Sequence, residues 1–377
     1  MADILDYIAW RGDITFDYSP FNEVDSLIFS QLAYLDFSNI IPESIKNKIT
    51  LSQAWELFRE SGKSGIPGIL FNKKTQVLLP LLANTVRFKD LELSGFRSEI
   101  NEKEEIQFQA LTVRNIGKKK TALVFTGTDD TLTGWKEDFN MAYMDSVPAQ
   151  KHAVEYLESA ASSFSGNFII CGHSKGGNLA SYSAAFSNPK TRKRIEIIYN
   201  NDGPGFTKKV LAKGAFSETS VKTRHFIPQA SIVGTLLYSK EKAIIIESSE
   251  NQLRQHDPFS WLVKGCHFIS AKDFSAEALM FDKTLKEWLL CRDENETKEF
   301  VTAFFNMLSS TGATTVTELF SELKDNPPKF LLYIAKLDSK IKRPLHQALK
   351  ELFKIAGKIL PKEIPGLLNI KDNEVNV

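Results

Sequence analysis

Residues 168–180 limit what this chain can fold into more than any other stretch. An apolar, β-prone run, Phe168-Ile169-Ile170-Cys171, leads into Gly172-His173-Ser174-Lys175-Gly176-Gly177-Asn178, and a small-residue helical pattern follows from Leu179-Ala180. A strand that turns straight into a helix through Gly-x-Ser-x-Gly has the form of a nucleophile elbow. The central serine is forced into a strained conformation, and only glycine at the flanking positions avoids neighbouring backbone and the helix. The hydroxyl then stands above the sheet. Beneath it, the helix N-terminus offers a positive dipole and unpaired N–H groups suited to a developing oxyanion. A glycine-rich turn whose serine merely caps a helix is the competing reading; a strand before and a helix after favour the elbow.

The rest of the chain supplies the setting for such a turn. Residues 1–20 mix aromatic and acidic side chains, and Trp10-Arg11-Gly12-Asp13 reads as a turn. Asn22-Glu23-Val24-Asp25 opens a helix in which Val24, Leu27, Ile28, Leu32 and Leu35 recur at helical spacing. A second helix is expected over about 51–61, after Thr50, while 79–86 is ambiguous between helix and strand. From 91 to 126 the pattern is β: 91–98, an alternating run over 106–113, then a continuous apolar run over 121–125. Alternation followed by a fully apolar strand predicts an antiparallel edge leading into a parallel centre.

Helix 150–163, strand 168–171, helix 177–186 and strands 195–200, 223–227 and 243–246 complete the series. Strands alternating with helices predict a doubly wound, mostly parallel α/β sheet, with reactive groups at the carboxyl ends of its strands. Beyond about 275 the period is helical, over 275–292, 295–310, 314–324 and 328–360. The expected organisation is one α/β domain over 1–275, with N-terminal helices over about 1–75 and a sheet core over about 80–270, then a C-terminal helical extension over 276–377. The last helical run sets Lys336, Lys340, Lys342, Arg343, Lys350, Lys354 and Lys358 among apolar residues, with Pro344 breaking it. A solvated face over a packed stripe is the ordinary reading, and weak peripheral contact with an anionic membrane is the alternative.

Composition narrows the chemistry. Among 377 residues, 47 Lys+Arg against 46 Asp+Glu leave a net charge of +1, so bulk attraction to nucleic acid is not expected. Cys171, Cys266 and Cys291 are odd in number and have no metal-ligand spacing, which reads as reduced thiols. No basic and then apolar leader opens the chain, and no apolar run approaches the roughly 20 residues of a membrane span, so a cytoplasmic protein is expected.

A serine hydroxyl needs a base, and the base needs a group to orient it. Of six histidines, His173 lies inside the elbow and should point away from the hydroxyl; His152 precedes the elbow, and His346 lies in the extension. In elbow folds the histidine follows the last strands, which leaves His225 too early and His256 and His267 as candidates. His256 is preferred, in a Pro-containing aromatic loop, Gln255-His256-Asp257-Pro258-Phe259-Ser260-Trp261; His267, between Cys266 and Phe268, reads as a core histidine. The strand after the elbow ends in Asn200-Asn201-Asp202-Gly203-Pro204, making Asp202 the best placed acid, with Asp257 in reserve. Asp202 could instead serve only its turn. Oxyanion donors are expected from the backbone N–H of Lys175 and from Thr128, in Phe125-Thr126-Gly127-Thr128.

With Gly134-Trp135-Lys136-Glu137-Asp138 added, that loop and the elbow resemble the class 3 (fungal-type) lipase pattern of the α/β-hydrolase fold over roughly residues 80–270. The resemblance implies Thr128 as the oxyanion residue and Ser174 as the nucleophile. Asp6 to Asp13, Asn201 to Phe206, Ser231-Ile232-Val233-Gly234 and His256 to Trp261 resemble, over nearly the full length, an uncharacterised bacterial family of lipase-like hydrolases. Two departures stand out: Thr126 occupies the usual arginine position, and Ser231 occupies the usual place of the acid. The expectation is a serine hydrolase of carboxylic esters, with lipid or acylglycerol esters as candidate substrates and no metal or organic cofactor. An acyltransferase on the same triad and a catalytically silent binding or membrane-docking module are the alternatives.

Overall fold

The computed structural model describes residues 2–63, 73–276, 278–279, 282–283, 293–310 and 312–319. The chain opens with a helix that the sequence reading took for irregular structure: α1 (Ile4–Arg11). Asp3 and Asp6 form a reciprocal capping box around its first turn, and the chain leaves the helix only at Gly12. Asn22 and Asp25 cap α2 (Glu23–Leu32) in the same way, and Thr50 with Gln53 caps α3 (Leu51–Glu60). The ambiguous apolar segment is helical, α4 (Thr75–Ala83), and holds Pro80 within it, which explains the mixed signal.

Eight strands form one sheet in chain order: β1 (Ile49–Thr50), β2 (Glu92–Asn101), β3 (Ile106–Arg114), β4 (Lys120–Phe125), β5 (Asn167–His173), β6 (Ile195–Asn201), β7 (Thr223–Pro228) and β8 (Ala243–Ile246). Pairing is antiparallel from β1 to β4 and parallel from β4 to β8. Between β4 and β5 run α5 (Leu132–Asn140) and α6 (Pro148–Ser163). Helices α7 (Lys175–Phe186) and α8 (Pro189–Lys193) join β5 to β6, and α9 (Lys208–Lys213) and α10 (Phe216–Thr219) join β6 to β7.

Both sheet faces are buried, and alternate residues serve opposite cores. Val124, Ile169, Cys171 and Tyr199 pack with α1 to α4, whereas Leu123, Phe125, Phe168 and Ile170 pack with α6 and α7. A chain that steps across parallel strands in one direction with right-handed crossovers must place its crossover helices on one face. The N-terminal helices cover the other. The result is a mostly parallel α/β-hydrolase-like sheet flanked by helices.

In register, Phe125 lies beside Gly172, Gly172 beside Asn200 and Asn201 beside Phe226. The carboxyl ends of four strands therefore form one rim. Past the sheet come a hairpin of β9 (Val263–Lys264) and β10 (His267–Phe268) and a helix, α11 (Glu294–Ser309), which packs on α5. The basic helical run over 328–360, His346 and Cys291 lie outside the described residues. Among the described residues, no helix is long and apolar enough to cross a membrane.

Candidate active site

Ser174 stands between β5 and α7 with φ 58° and ψ −132°, a combination nearly confined to glycine. The surrounding glycines are required by backbone contact. A Cβ on Gly172 would lie 2.2 Å from Gly176, and one on Gly176 would lie 2.1 Å from the Phe125 carbonyl oxygen. Neither neighbour can swing aside, as a flexible side chain could. The Ser174 N–H donates to the Asn201 carbonyl at 3.0 Å, which ties the elbow to the end of β6.

Two N–H groups border this turn. Among the described residues, neither the Lys175 N–H nor the Thr128 N–H has a protein hydrogen-bond partner. The loop bearing Thr128 is pressed against the elbow: a Cβ on Gly127 would fall 2.7 Å from the His173 carbonyl oxygen and 3.0 Å from the Ser174 Cβ. Thr126 is buried and donates its hydroxyl to the Ala33 carbonyl at 2.9 Å, so the loop is supported from α2's end.

Lys175 sends its side chain inward. Its Nζ, fully buried, donates to the Gln107 carbonyl at 2.8 Å and to Glu137 Oε2 at 3.0 Å. Glu137 also accepts N–H groups from Gln107 and Ala149, so the buried pair has the extra partners it needs to offset its desolvation. The next residue, Asp138, accepts the Thr128 hydroxyl. Burial raises the Asp138 carboxyl to about 6, against the opposing influence of Lys175 and Thr128. Consecutive residues of α5 thus hold the elbow lysine and the loop bearing Thr128.

Asp202 follows β6 with φ 55° and is fully buried. Its Oδ2 lies 2.6 Å from His256 Nδ1 and accepts the Ser231 hydroxyl at 2.6 Å, while its Oδ1 accepts the Gly234 N–H at 3.1 Å. A Cβ on Gly234 would lie 2.3 Å from that oxygen, so the approach requires glycine. With Nδ1–H directed at the carboxylate, His256 carries its lone pair on Nε2, and its side chain is 25% exposed. The loop bearing His256 is itself anchored: Gln255 accepts the Ala230 N–H through its side chain and the Trp261 indole N–H through its carbonyl. Asp257 caps the following turn through the Phe259 N–H.

His173 packs beside His256 and links the two sides of the rim. Its Nε2 donates to the His256 carbonyl at 2.9 Å, which leaves Nδ1 to accept from the Tyr34 hydroxyl at 3.3 Å. The rings of His173 and His256 lie 4.5 Å apart. The Tyr34 oxygen receives the Gly127 N–H in turn. Burial, and then the neighbouring His256, holds His173 well below the ordinary histidine range, so the ring is neutral.

The structure therefore brings Ser174, Asp202, His256, Lys175 and Thr128 to one rim. His267 does not join them and is not a core residue: it sits on the turn side of the β9–β10 hairpin, 74% exposed, beside Glu23. The sequence reading missed Tyr34 and the inward role of Lys175, and it named Ser231 and Gly234 without placing them on the Asp202 carboxylate. A serine and a glycine three apart after a strand were the only signal for the latter two.

The family model described as Mbeg1-like matches residues 82–306, which cover β2 to β8, the rim and most of α11. Among solved structures, one titled "Crystal structure of M37 lipase" is similar with a TM-score of 0.38 and 14% identity, covering 58% of this chain and 70% of that one. No curated protein matches the chain in sequence.

Proposed function

This chain belongs to the Mbeg1-like family, a lipase-like family, and from that premise we propose that it is a serine hydrolase of carboxylic esters, among which lipid and acylglycerol esters are the leading class. His256 Nε2 takes the Ser174 proton as Oγ attacks the ester carbonyl, and Asp202 stabilises the imidazolium that forms. The Lys175 and Thr128 N–H groups receive the oxyanion. Collapse of the tetrahedral intermediate, with the proton passed to the leaving alcohol, gives an acyl-serine; water activated by the same imidazole then releases the acid.

One observation carries this reading: a serine in a strained strand-to-helix turn shares its rim with an imidazole whose Nδ1 is 2.6 Å from a buried carboxylate. Ser231 also strengthens the reading, because the residue at the usual acid position donates to the acid that replaces it. Hydrolysis of p-nitrophenyl esters of increasing acyl length, with glycerol present as a competing acceptor, tests it. Free acid as the main product, with turnover falling about 10⁵-fold in Ser174→Ala, is expected. Absence of turnover on every ester by folded protein would count against it.

A further inference from the structure

The loop that carries Thr128 runs through Asp129 and Asp130 into α5, and residues nearly two hundred positions later hold it there. The Asp130 carbonyl accepts the Val316 N–H at 2.8 Å, and Asp130 Oδ2 accepts the Thr317 N–H at 3.2 Å. One residue on, Thr131 and Thr315 form an antiparallel bridge, and the Leu132 N–H donates to the Thr314 carbonyl at 2.9 Å. Helix α11 then closes over α5. Phe304 stacks on Phe139 with centroids 5.8 Å apart, Phe305 meets the same ring edge-on at 5.4 Å, and Leu132, Val301 and Leu308 are buried in the shared cluster.

The other side of α5 carries Glu137 and Asp138, which bind Lys175 and the Thr128 hydroxyl. A single helix thus has the C-terminal segment on one side and both oxyanion residues on the other. An oxyanion donor works only if its position is fixed before the charge develops, and a displacement of about 1 Å is enough to cost up to 10²-fold in rate.

On the hydrolase reading above, we infer that residues 314–319 and α11 are a positioning element for the oxyanion loop, with Asp130 as the residue they grip. Detaching them lets Thr128 drift away from Ser174 without disturbing the elbow. The C-terminal region is then a working part of the site rather than an appended helical domain.

The test uses the full chain. Val316 is the first residue of a helical stretch after an extended residue, a position where proline is tolerated, so Val316→Pro removes the N–H that Asp130 accepts and trims one partly buried apolar side chain. Asp130→Ala removes the side-chain acceptor, and Asp130→Asn keeps an acceptor oxygen. Amide hydrogen exchange is measured over 126–131 and over β5–α7, alongside ester kinetics. Val316→Pro and Asp130→Ala are expected to raise exchange over 126–131 but not over β5–α7, and to lower kcat about tenfold with KM within about twofold; Asp130→Asn stays near wild type. Wild-type exchange and kcat in both folded variants overturn the inference. So does a uniform rise that includes β5–α7, which reports general loosening. If wild type cleaves no ester while exchange responds as expected, the hydrolase reading fails while the hold of 314–319 on the 126–131 loop stands.

Discussion

Around Ser174 the molecule fits backbone to backbone, whereas around Asp202 it is held by side-chain hydrogen bonds between loops. On the first side, Gly172, Gly176 and Gly127 each occupy a place where a Cβ would strike main-chain atoms. On the second, a carboxylate from β6's end, a hydroxyl and an N–H from the loop after β7, and an imidazole from the loop after β8 meet over long sequence separations. Backbone fit tolerates almost no change of residue. A side-chain network can draw its carboxylate from one strand end and its donors from the loops after others.

The largest expected effect that sharpens this contrast is at the acid. Asp202→Asn should lower kcat about 10⁴-fold with the fold intact, since the amide no longer holds the tautomer or stabilises the imidazolium. Asp257→Asn, whose carboxylate accepts the Phe259 N–H, should stay within about threefold; equal losses in the two would break the assignment. On the backbone side, Gly127→Ala forces the oxyanion loop away from Tyr34 and His173 and should cost about 10²- to 10³-fold in kcat, the loss of one donor. The Tyr34→Phe background, which removes the hydroxyl 2.1 Å from the added methyl, should reduce that loss, and strict additivity would count against the contact. Ser231→Ala removes one donor to the carboxylate and should cost about tenfold, near 1.4 kcal/mol.

The smallest effect concerns the bridge between the sides. His173 is neutral when folded, with its pKa held well below the unfolded value of about 6.5. As pH falls below that value, the unfolded chain binds a proton that the folded chain refuses, so stability declines with a slope of at most about 1.4 kcal/mol per pH unit. Asp138 acts in the opposite sense, because its raised carboxyl binds a proton first in the folded state as pH drops through about 6. The difference in urea midpoints between wild type and His173→Gln, at pH 7 and pH 5, isolates the histidine. The variant should lose less stability on acidification, and a parallel loss would contradict the neutral bridge.

The same contrast explains what was readable in the sequence. Glycine spacing records backbone collisions directly, so the elbow and the loop pressed against it are visible in residues 172–177 and 125–128. The strands from β2 to β8 were legible as alternating or continuously apolar runs separated by turns and helical stretches. Asp202 and His256 could be placed at strand ends, yet nothing local shows that Ser231 and Gly234 converge on the same carboxylate, because such contacts depend on loop paths. Tyr34 reaches the elbow from 139 positions away. Helix α1 was hidden behind Trp10 and Gly12, with its cap at Asp3 too close to the terminus for a period to register. His267 followed the apolar rule for its neighbours, but a two-residue hairpin strand turns alternate side chains outward.

The central claim is that the rim activates Ser174 through His256. Labelling with a fluorophosphonate probe, comparing wild type with Ser174→Ala, His256→Ala and His267→Ala, tests it most directly. Rapid labelling of wild type and His267→Ala, lost in Ser174→Ala and His256→Ala, is the predicted result. Folded wild type that does not label, or labelling that survives His256→Ala at the wild-type rate, would contradict it.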